Sequence, residues 1–431
     1  MKYLSRIADV VLQDNLEASG AVLVEGPKWC GKTTTCGQIA KSAISLQDVD
    51  MRDEYLATAA SKPSLLLMGD TPRLIDEWQD APVIWDAVRT VCDKRGGVPG
   101  QFILTGSNRV KKEETRHSGT GRIAKIKMLP MSLWESKEST GAVSVKELFD
   151  NPEYDIDGKI SKLSVEELIL AACRGGWPAS LIPAKDRARL LVAKNYFKSV
   201  CSEDISRIDG VLRDEKTAAM IMRSYARNIS TIVKKTSMLS DVTSSGEVSC
   251  SSDTFDDYVK ALERLFVIQD LDAWCPAIRS KSNTRSTPKR SFCDPSVSVA
   301  ALGLSPNILM TQLKTFGFLF EQMSIRDLRA YTMDQDSHLS YYRDRYGLEA
   351  DVVLHLSDGR YALIECKLGS REIEDGAEHL LELKQLIKKH NESETQNPLR
   401  EPDLLIIITG GQMAYTRPDG VKIIPLGCLK D

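Results

Sequence analysis

"VEGPKWCGKTTT", residues 24–35, carries glycines at Gly26 and Gly31 and places Lys32 and Thr33 directly after the second. The string Gly26, Pro27, Lys28, Trp29, Cys30, Gly31, Lys32, Thr33 satisfies G-x-x-x-x-G-K-[ST] at every specified position, and Thr34 follows it. In such a loop the glycines let backbone amides turn inward around phosphate oxygens. Lys32 reaches the β and γ phosphates, and the Thr33 hydroxyl takes a place on Mg2+. From average residue usage the pattern arises by accident in roughly one chain per hundred of this length. An apolar run precedes it and a helix-compatible stretch follows, so it reads as a nucleoside triphosphate site between a strand and a helix.

Working outward, short apolar runs recur at "AVLVEG", "LLLMG", "RLIDEW", "QFILTGS" and "RIAKIKMLP" between residues 21 and 130. This alternation predicts an α/β fold, a mostly parallel sheet with helices on its faces. In "RLIDEW", Leu74 and Ile75 read as buried strand residues. They lead to Asp76, which would hold Mg2+ through water, and to Glu77, the base that polarises the attacking water. "QFILTGSN" reads as a neighbouring strand from which Thr105 or Ser107 senses the γ phosphate. The strings "DEWQ" and "LTGS" resemble those of the AAA-type ATP-binding proteins of bacteria and archaea. That resemblance implies ATP and Mg2+ as ligands, hydrolysis, and a sensor strand inserted between the phosphate-loop strand and the Asp-Glu strand. The segment "TRHSGTGRIAKIKMLPMSLWE" shares the resemblance. It implies that Arg122, with Arg116 the weaker candidate, approaches the phosphates of its own or a neighbouring subunit and stabilises transition-state charge. A homo-oligomer and a monomer are both compatible with it.

Around residues 137–162 the chain turns polar and reads as a linker. The expected units are therefore an ATPase domain over 1–140, a helical and winged-helix region over 141–300, and a second α/β domain over 301–431. In "DTFDDYVKALERLFVI" the residues Phe255, Val259, Leu262 and Phe266 recur at helical spacing, with Asp253 available as an N-cap. "FVIQDLDAW", a basic stretch and "RSFCD" follow, the order of a winged helix. Net charge is −3, which leaves any attraction to nucleic acid to local patches. One such patch is "RSKSNTRSTPKR" at 279–290, with Arg279, Lys281, Arg285, Lys289 and Arg290. It reads either as a solvated hairpin or as a wing contacting DNA phosphates.

Near the end, "EADVVLHLSDGRYALIECK" sets Asp351 on one strand-like run and Glu365 with Lys367 on the next. A hairpin would bring Asp351 near Glu365, and strand alternation puts Glu365 and Lys367 on one face. E-x-K also occurs at Glu135 and Glu382, so the triplet alone carries nothing. With Glu321 upstream, the set suits metal-dependent phosphodiester cleavage, in which Asp351, Glu365 and Glu321 hold Mg2+ and Lys367 steadies the developing charge. The set resembles the PD-(D/E)XK core of restriction-endonuclease-like folds, with Ala350 where that pattern has proline. "RGGWP", "ALERLFVIQDLDAW", "PKRSFCDPSVSVAALGL" and "GFLFEQMSIRDL" resemble the C-terminal region of unknown function, DUF4143, that accompanies this ATPase type.

Composition excludes other classes. Ten cysteines without a C-x-x-C pair and five dispersed histidines show neither zinc spacing nor a disulfide framework, which favours a reducing cytoplasm. Asp9, Asp14 and Glu17 interrupt the N-terminus where a signal peptide would be apolar, and no apolar run approaches bilayer length, so no membrane partner is expected. Two functions stay open. One is an ATPase coupled to a nucleic-acid-cutting domain; the other is an ATP-gated switch or scaffold whose nuclease-like domain binds without cutting.

Overall fold

A computed structural model describes residues 3–109, 119–244, 246–274, 287–393, 396 and 398–431. Five parallel strands form the first sheet: β1 (Ala21–Glu25), β2 (Ser42–Ser45), β3 (Arg73–Asp76), β4 (Phe102–Gly106) and β5 (Ile123–Lys127), in the order β2-β3-β4-β1-β5. The strand β4 lies between β1 and β3, as the resemblance implies. Strand alternation divides the apolar residues between two faces. Leu23, Ile75, Phe102 and Leu104 pack with Ile84, Trp85 and Val88 of the helix Val83–Lys94. Val22, Val24, Leu74 and Ile103 pack with Ala8, Val11, Leu12 and Leu16 of the helix Ile7–Ala18. Each fully buried aliphatic or aromatic side chain of this kind contributes about 1.5–3 kcal/mol. Because all five strands are parallel, Glu25, Asp76, Gly106 and Lys127 end at one edge of the sheet, and that edge carries the phosphate loop.

The remaining strands are β6 (Val143–Ser144), β7 (Asp272–Ala273), β8 (His338–Arg343), β9 (Glu349–His355), β10 (Tyr361–Lys367), β11 (Leu404–Thr409), β12 (Tyr415–Thr416), β13 (Lys422–Pro425) and β14 (Leu429–Lys430). Seven of them form a mixed sheet in the order β12-β13-β11-β10-β9-β8-β7. The hairpin β9/β10 is antiparallel, and β10 pairs in parallel with β11 after the crossover helix Ile373–Ser393. That helix covers one face through Ala377, Leu380, Leu383 and Ile387. The helix Leu313–Tyr331 covers the other, with Phe316, Phe320 and Met323 in the same core as Val352, Leu354 and Ile364.

Residues 137–162 are not a linker. They contain β6 and the helix Val145–Asp150, and they bury Val143, Leu148, Phe149 and Ile156. Strand β14 returns from the end of the chain to pair with β6, and the Ser139 hydroxyl donates to the carbonyls of Gly427 and Leu429. Of the polar residues that suggested a linker, Lys146, Glu147, Asp150, Asp155 and Asp157 are exposed, while Ser139 and Ser161 are buried. One hydrophobic core runs from Leu133 through the middle helices to Leu429, and the helix Pro295–Leu302 crosses residue 300 within it. The helix expected around 253–266 spans Ser252–Arg264. Its N-cap is Ser251, whose hydroxyl accepts from the Thr254 amide; Asp253 sits in the first turn instead. After it, Ile268 and Phe292, then Leu271 and Lys289, form antiparallel bridges. No described helix is long and apolar enough to cross a membrane.

Candidate functional site

Strand β1 hands the chain to the loop at Gly26, where an added Cβ would lie 2.1 Å from the Met128 carbonyl oxygen, so no side chain fits. Gly31 caps the helix Lys32–Gly37 with φ 102°, a left-handed conformation that only glycine adopts without strain. Cys30 is buried, with its sulfur facing the Met128 carbonyl, so the thiol inside the loop is not open to solvent. Lys32 is buried, and its ammonium donates to the loop's own carbonyls at Gly26 (3.0 Å) and Pro27 (2.9 Å).

Asp76, at the end of β3, is where the sequence candidates converge. Its Oδ1 accepts from the Thr33 hydroxyl at 2.7 Å and from the Thr105 hydroxyl at 2.5 Å; Ser45 donates to its Oδ2 at 3.3 Å. A hydroxyl and a carboxylate side by side beneath a phosphate loop are the donor set that Mg2+ takes when it is shared with phosphates, so these residues fit the ion. Glu77 adopts φ 54° directly after the strand. Its Oε2 accepts from the Ser107 hydroxyl at 2.8 Å and from the Gln79 amide nitrogen. Thr105 and Ser107, alternatives in the sequence, thus take different partners: one holds the Asp76 carboxylate, the other the Glu77 carboxylate.

Several residues at this edge carry no signal in the sequence. Arg6 is buried and donates to the carbonyls of Cys30 and Leu129 (both 2.8 Å) while pairing with buried Glu135 at 2.9 Å. Glu135, one of the two E-x-K repeats that seemed meaningless, therefore anchors the floor of the loop. Gln79 orients Glu77, and its buried Oε1 has no hydrogen-bond partner. Lys127 ends β5 beside Glu25; burial, then Arg329 and Arg109, push its pKa down to about 7. Two loop side chains reach the middle region: Lys28 pairs with Asp204 at 2.6 Å, and the Trp29 ring meets Tyr196 at 5.7 Å between centroids. Past β4, the Arg109 amide donates to the Arg264 carbonyl, and its guanidinium lies 5.0 Å from the Phe266 ring.

Arg122 does not approach the phosphate loop of its own chain. It precedes β5 at the opposite edge of the sheet and pairs with Asp93 at 2.8 Å. A five-residue strand puts that edge roughly 15 Å from the loop. Arg116 lies outside the described residues, as do Arg279, Lys281 and Arg285 of the basic stretch. The two described cations of that stretch point inward: Arg290 pairs with Asp270 at 2.7 Å, and Lys289 is buried.

Lys289 changes the second acidic cluster. The hairpin places Asp351 one position beyond the Val352–Ile364 pair, opposite Glu365, and Asp351 Oδ2 accepts the Cys366 amide at 2.9 Å. Between the carboxylates stands the Lys289 ammonium, 2.8 Å from Glu321, 3.1 Å from Asp351 and 3.3 Å from Glu349. Lys367 pairs with Glu365 at 2.6 Å. Burial, then the Asp351 charge, raises the pKa of Glu321 to about 8 and that of Glu365 to about 9. Burial works against the Asp351 carboxylate too, but Lys289 and Lys367 outweigh it and hold its pKa below the usual range. The cluster opens on a cleft of about 980 Å³ that Lys314, Arg343 and Arg371 also line. Among the described residues no group of three or more histidine, cysteine, aspartate or glutamate side chains is arranged to hold a metal ion. The expected Mg2+ on Glu321, Asp351 and Glu365 does not fit these residues as they stand: the Lys289 ammonium already lies against Glu321 and Asp351, and the Lys367 ammonium against Glu365.

Three family models match successive parts of the chain. An AAA domain family model matches residues 18–137, a domain of unknown function (DUF8612) matches 165–308, and a second (DUF4143) matches 316–429. No curated protein matches the chain. Among solved structures, a Walker-type ATPase of Pyrococcus abyssi is similar at 12% identity over 69% of this chain and 96% of that one, with a TM-score of 0.41. A signal-transduction ATPase with a tetratricopeptide-repeat sensor from Pyrococcus horikoshii is similar at 10% identity over 75% of this chain and 48% of that one, with a TM-score of 0.20. The phosphate loop, Asp76, Glu77 and strand β4 all fall within the matched AAA segment, and the chain joins that AAA domain to a DUF4143 region.

Proposed function

We propose that this chain binds ATP with Mg2+ in the loop from Gly26 to Thr34, hydrolyses it, and uses the cycle to reset contacts with its middle region. The observation that carries this reading is the meeting of Thr33 and Thr105 on one oxygen of Asp76, at the sheet edge where Lys32 waits on neutral carbonyls. Phosphate oxygens are stronger acceptors for an ammonium than carbonyls, so Lys32 exchanges one set for the other on binding. Mg2+, held by the Thr33 hydroxyl and through water by Asp76, would draw charge from the β and γ phosphates. Glu77 orients and deprotonates the attacking water, while Ser107 and Gln79 fix its carboxylate. Any shift of the β4 end on γ-phosphate loss passes to Arg109, and so to Arg264 and Phe266; Lys28 and Trp29 give the loop a second path to Asp204 and Tyr196.

The helix Ser252–Arg264 with the two bridges after it supports a winged-helix reading, and with it DNA as a partner. Holding a duplex without cutting it is the version the second cluster favours, since Lys289 stands where a catalytic ion would. The test is ATP turnover measured beside nicking of supercoiled DNA on one preparation. Lys32→Ala should lose nucleotide binding. Glu77→Gln should bind ATP and slow its hydrolysis by about 10²-fold or more. Normal turnover in either variant rejects the site assignment, and Mg2+-dependent nicking abolished by Asp351→Ala rejects the non-cutting version.

A further inference from the structure

We infer that Lys289 is the resident cation of the C-terminal carboxylate cluster, standing in for a divalent metal, and that its removal would turn the cluster into a divalent-cation site. The geometry is specific to an ion's place rather than to a surface pair. The ammonium is buried and touches side-chain oxygens from three residues on two elements, Glu321 on the helix Leu313–Tyr331 and Glu349 and Asp351 on β9, plus the Asp351 carbonyl at 3.3 Å. A point charge ringed by oxygens from separate elements is what a bound cation provides. Lys289 comes from the segment that pairs with Leu271, outside both the helix and the hairpin, so the cation reaches the pocket from the middle region.

A second observation concerns Glu365. This residue is almost wholly buried, yet its Oε1 accepts no hydrogen bond and faces the cleft beside the equally unbonded His379 Nδ1, 3.8 Å away. One carboxylate oxygen is thus left unused while its partner oxygen is spent on Lys367. With Lys289 in place, Glu321 and Asp351 are already balanced and a metal has no advantage there. With Lys289 cut back, Glu321, Glu349 and Asp351, whose oxygens ring its ammonium at 2.8, 3.3 and 3.1 Å, lose their cation and can close in on another, with the idle oxygen of Glu365 lining the same cleft; Mg2+ or Mn2+ is the ligand class such hard oxygens would take.

The experiment uses the full-length, nucleotide-free protein with Mn2+ as probe, read by the loss of the free-ion EPR signal and by the thermal unfolding midpoint. Wild type should show no Mn2+ binding that Asp351→Asn removes. Lys289→Ala, with Lys289→Met as the bulk-preserving second variant, should gain one Mn2+ site at least tenfold tighter than any in wild type, and millimolar divalent ion should raise its unfolding midpoint selectively. Adding Asp351→Asn to that variant should abolish the gain. An Asp351-dependent Mn2+ site in wild type overturns the inference, as does a folded Lys289 variant that gains none. If neither variant folds, the wild-type measurement alone decides: no Asp351-dependent Mn2+ supports the resident cation, and its presence refutes it.

Discussion

The two acidic sites of this chain use the same residue types to opposite ends. At the phosphate loop a buried lysine rests on two neutral carbonyls, while the nearby carboxylate of Asp76 is held by hydroxyls. In the C-terminal cleft a buried lysine rests on carboxylates. A lysine on carbonyls is free to take a more negative partner, because an ammonium–phosphate contact outweighs an ammonium–dipole one. A lysine on buried carboxylates is not, because leaving would strand the Asp351 charge in a medium that solvates it poorly. The first arrangement suits a ligand that comes and goes. The second suits a permanent part of the fold.

That contrast can be broken by experiment. The largest effect on stability should come from Lys289→Ala without added metal, about 3–5 kcal/mol in urea unfolding, since removing one partner of a buried ion pair strands the other. Lys32→Ala should cost about 1.5–3 kcal/mol, the scale of a charged hydrogen bond lost, even though it removes nucleotide binding. Equal losses in the two variants would erase the distinction drawn between the sites.

A medium-sized effect should follow pH. Folding raises Glu321 to about 8 and Glu365 to about 9 from an ordinary 4.5, so the folded chain holds protons that the unfolded chain releases. The stability these groups contribute is complete below the ordinary value and is lost as pH rises through the folded values. Unfolding free energy should therefore fall as pH climbs from the ordinary 4.5 toward about 9, and Glu365→Gln should flatten that slope. An unchanged slope in the variant would remove Glu365 from the account. The smallest effect is expected at Arg122. Alanine there should leave turnover per chain unaltered in dilute protein, and a loss of roughly tenfold that depends on protein concentration would show that it acts on a neighbouring subunit.

Much of the nucleotide site was legible because its residues are contiguous or end adjacent strands. The loop from Gly26 to Thr33, Asp76, Glu77, Thr105 and Ser107 all lie where an apolar run stops, and parallel pairing alone gathers them at one edge. The reading of Arg122 toward its own chain's phosphates fails because it stands at the beginning of a strand, not the end, and direction along a strand decides which edge a residue joins. The linker reading of 137–162 failed for a related reason: only a few residues of each short element face inward, too few to raise local hydropathy. Arg6, Gln79 and Arg109 carry no local pattern that marks them, since each acts through a contact made by the fold.

By itself the sequence determined the α/β class, the phosphate loop with the strand end that carries Asp76 and Glu77, and the hairpin that sets Asp351 against Glu365, because each depends on spacing within a strand or between neighbouring strands. Only the tertiary structure decided what the second cluster holds. Lys289 lies 32 residues from Glu321 and 62 from Asp351, in a stretch whose charge suggested an exposed wing, and no periodicity links it to either. A charge balance inside a core is a property of which elements pack together, and that information exists only once the chain has folded.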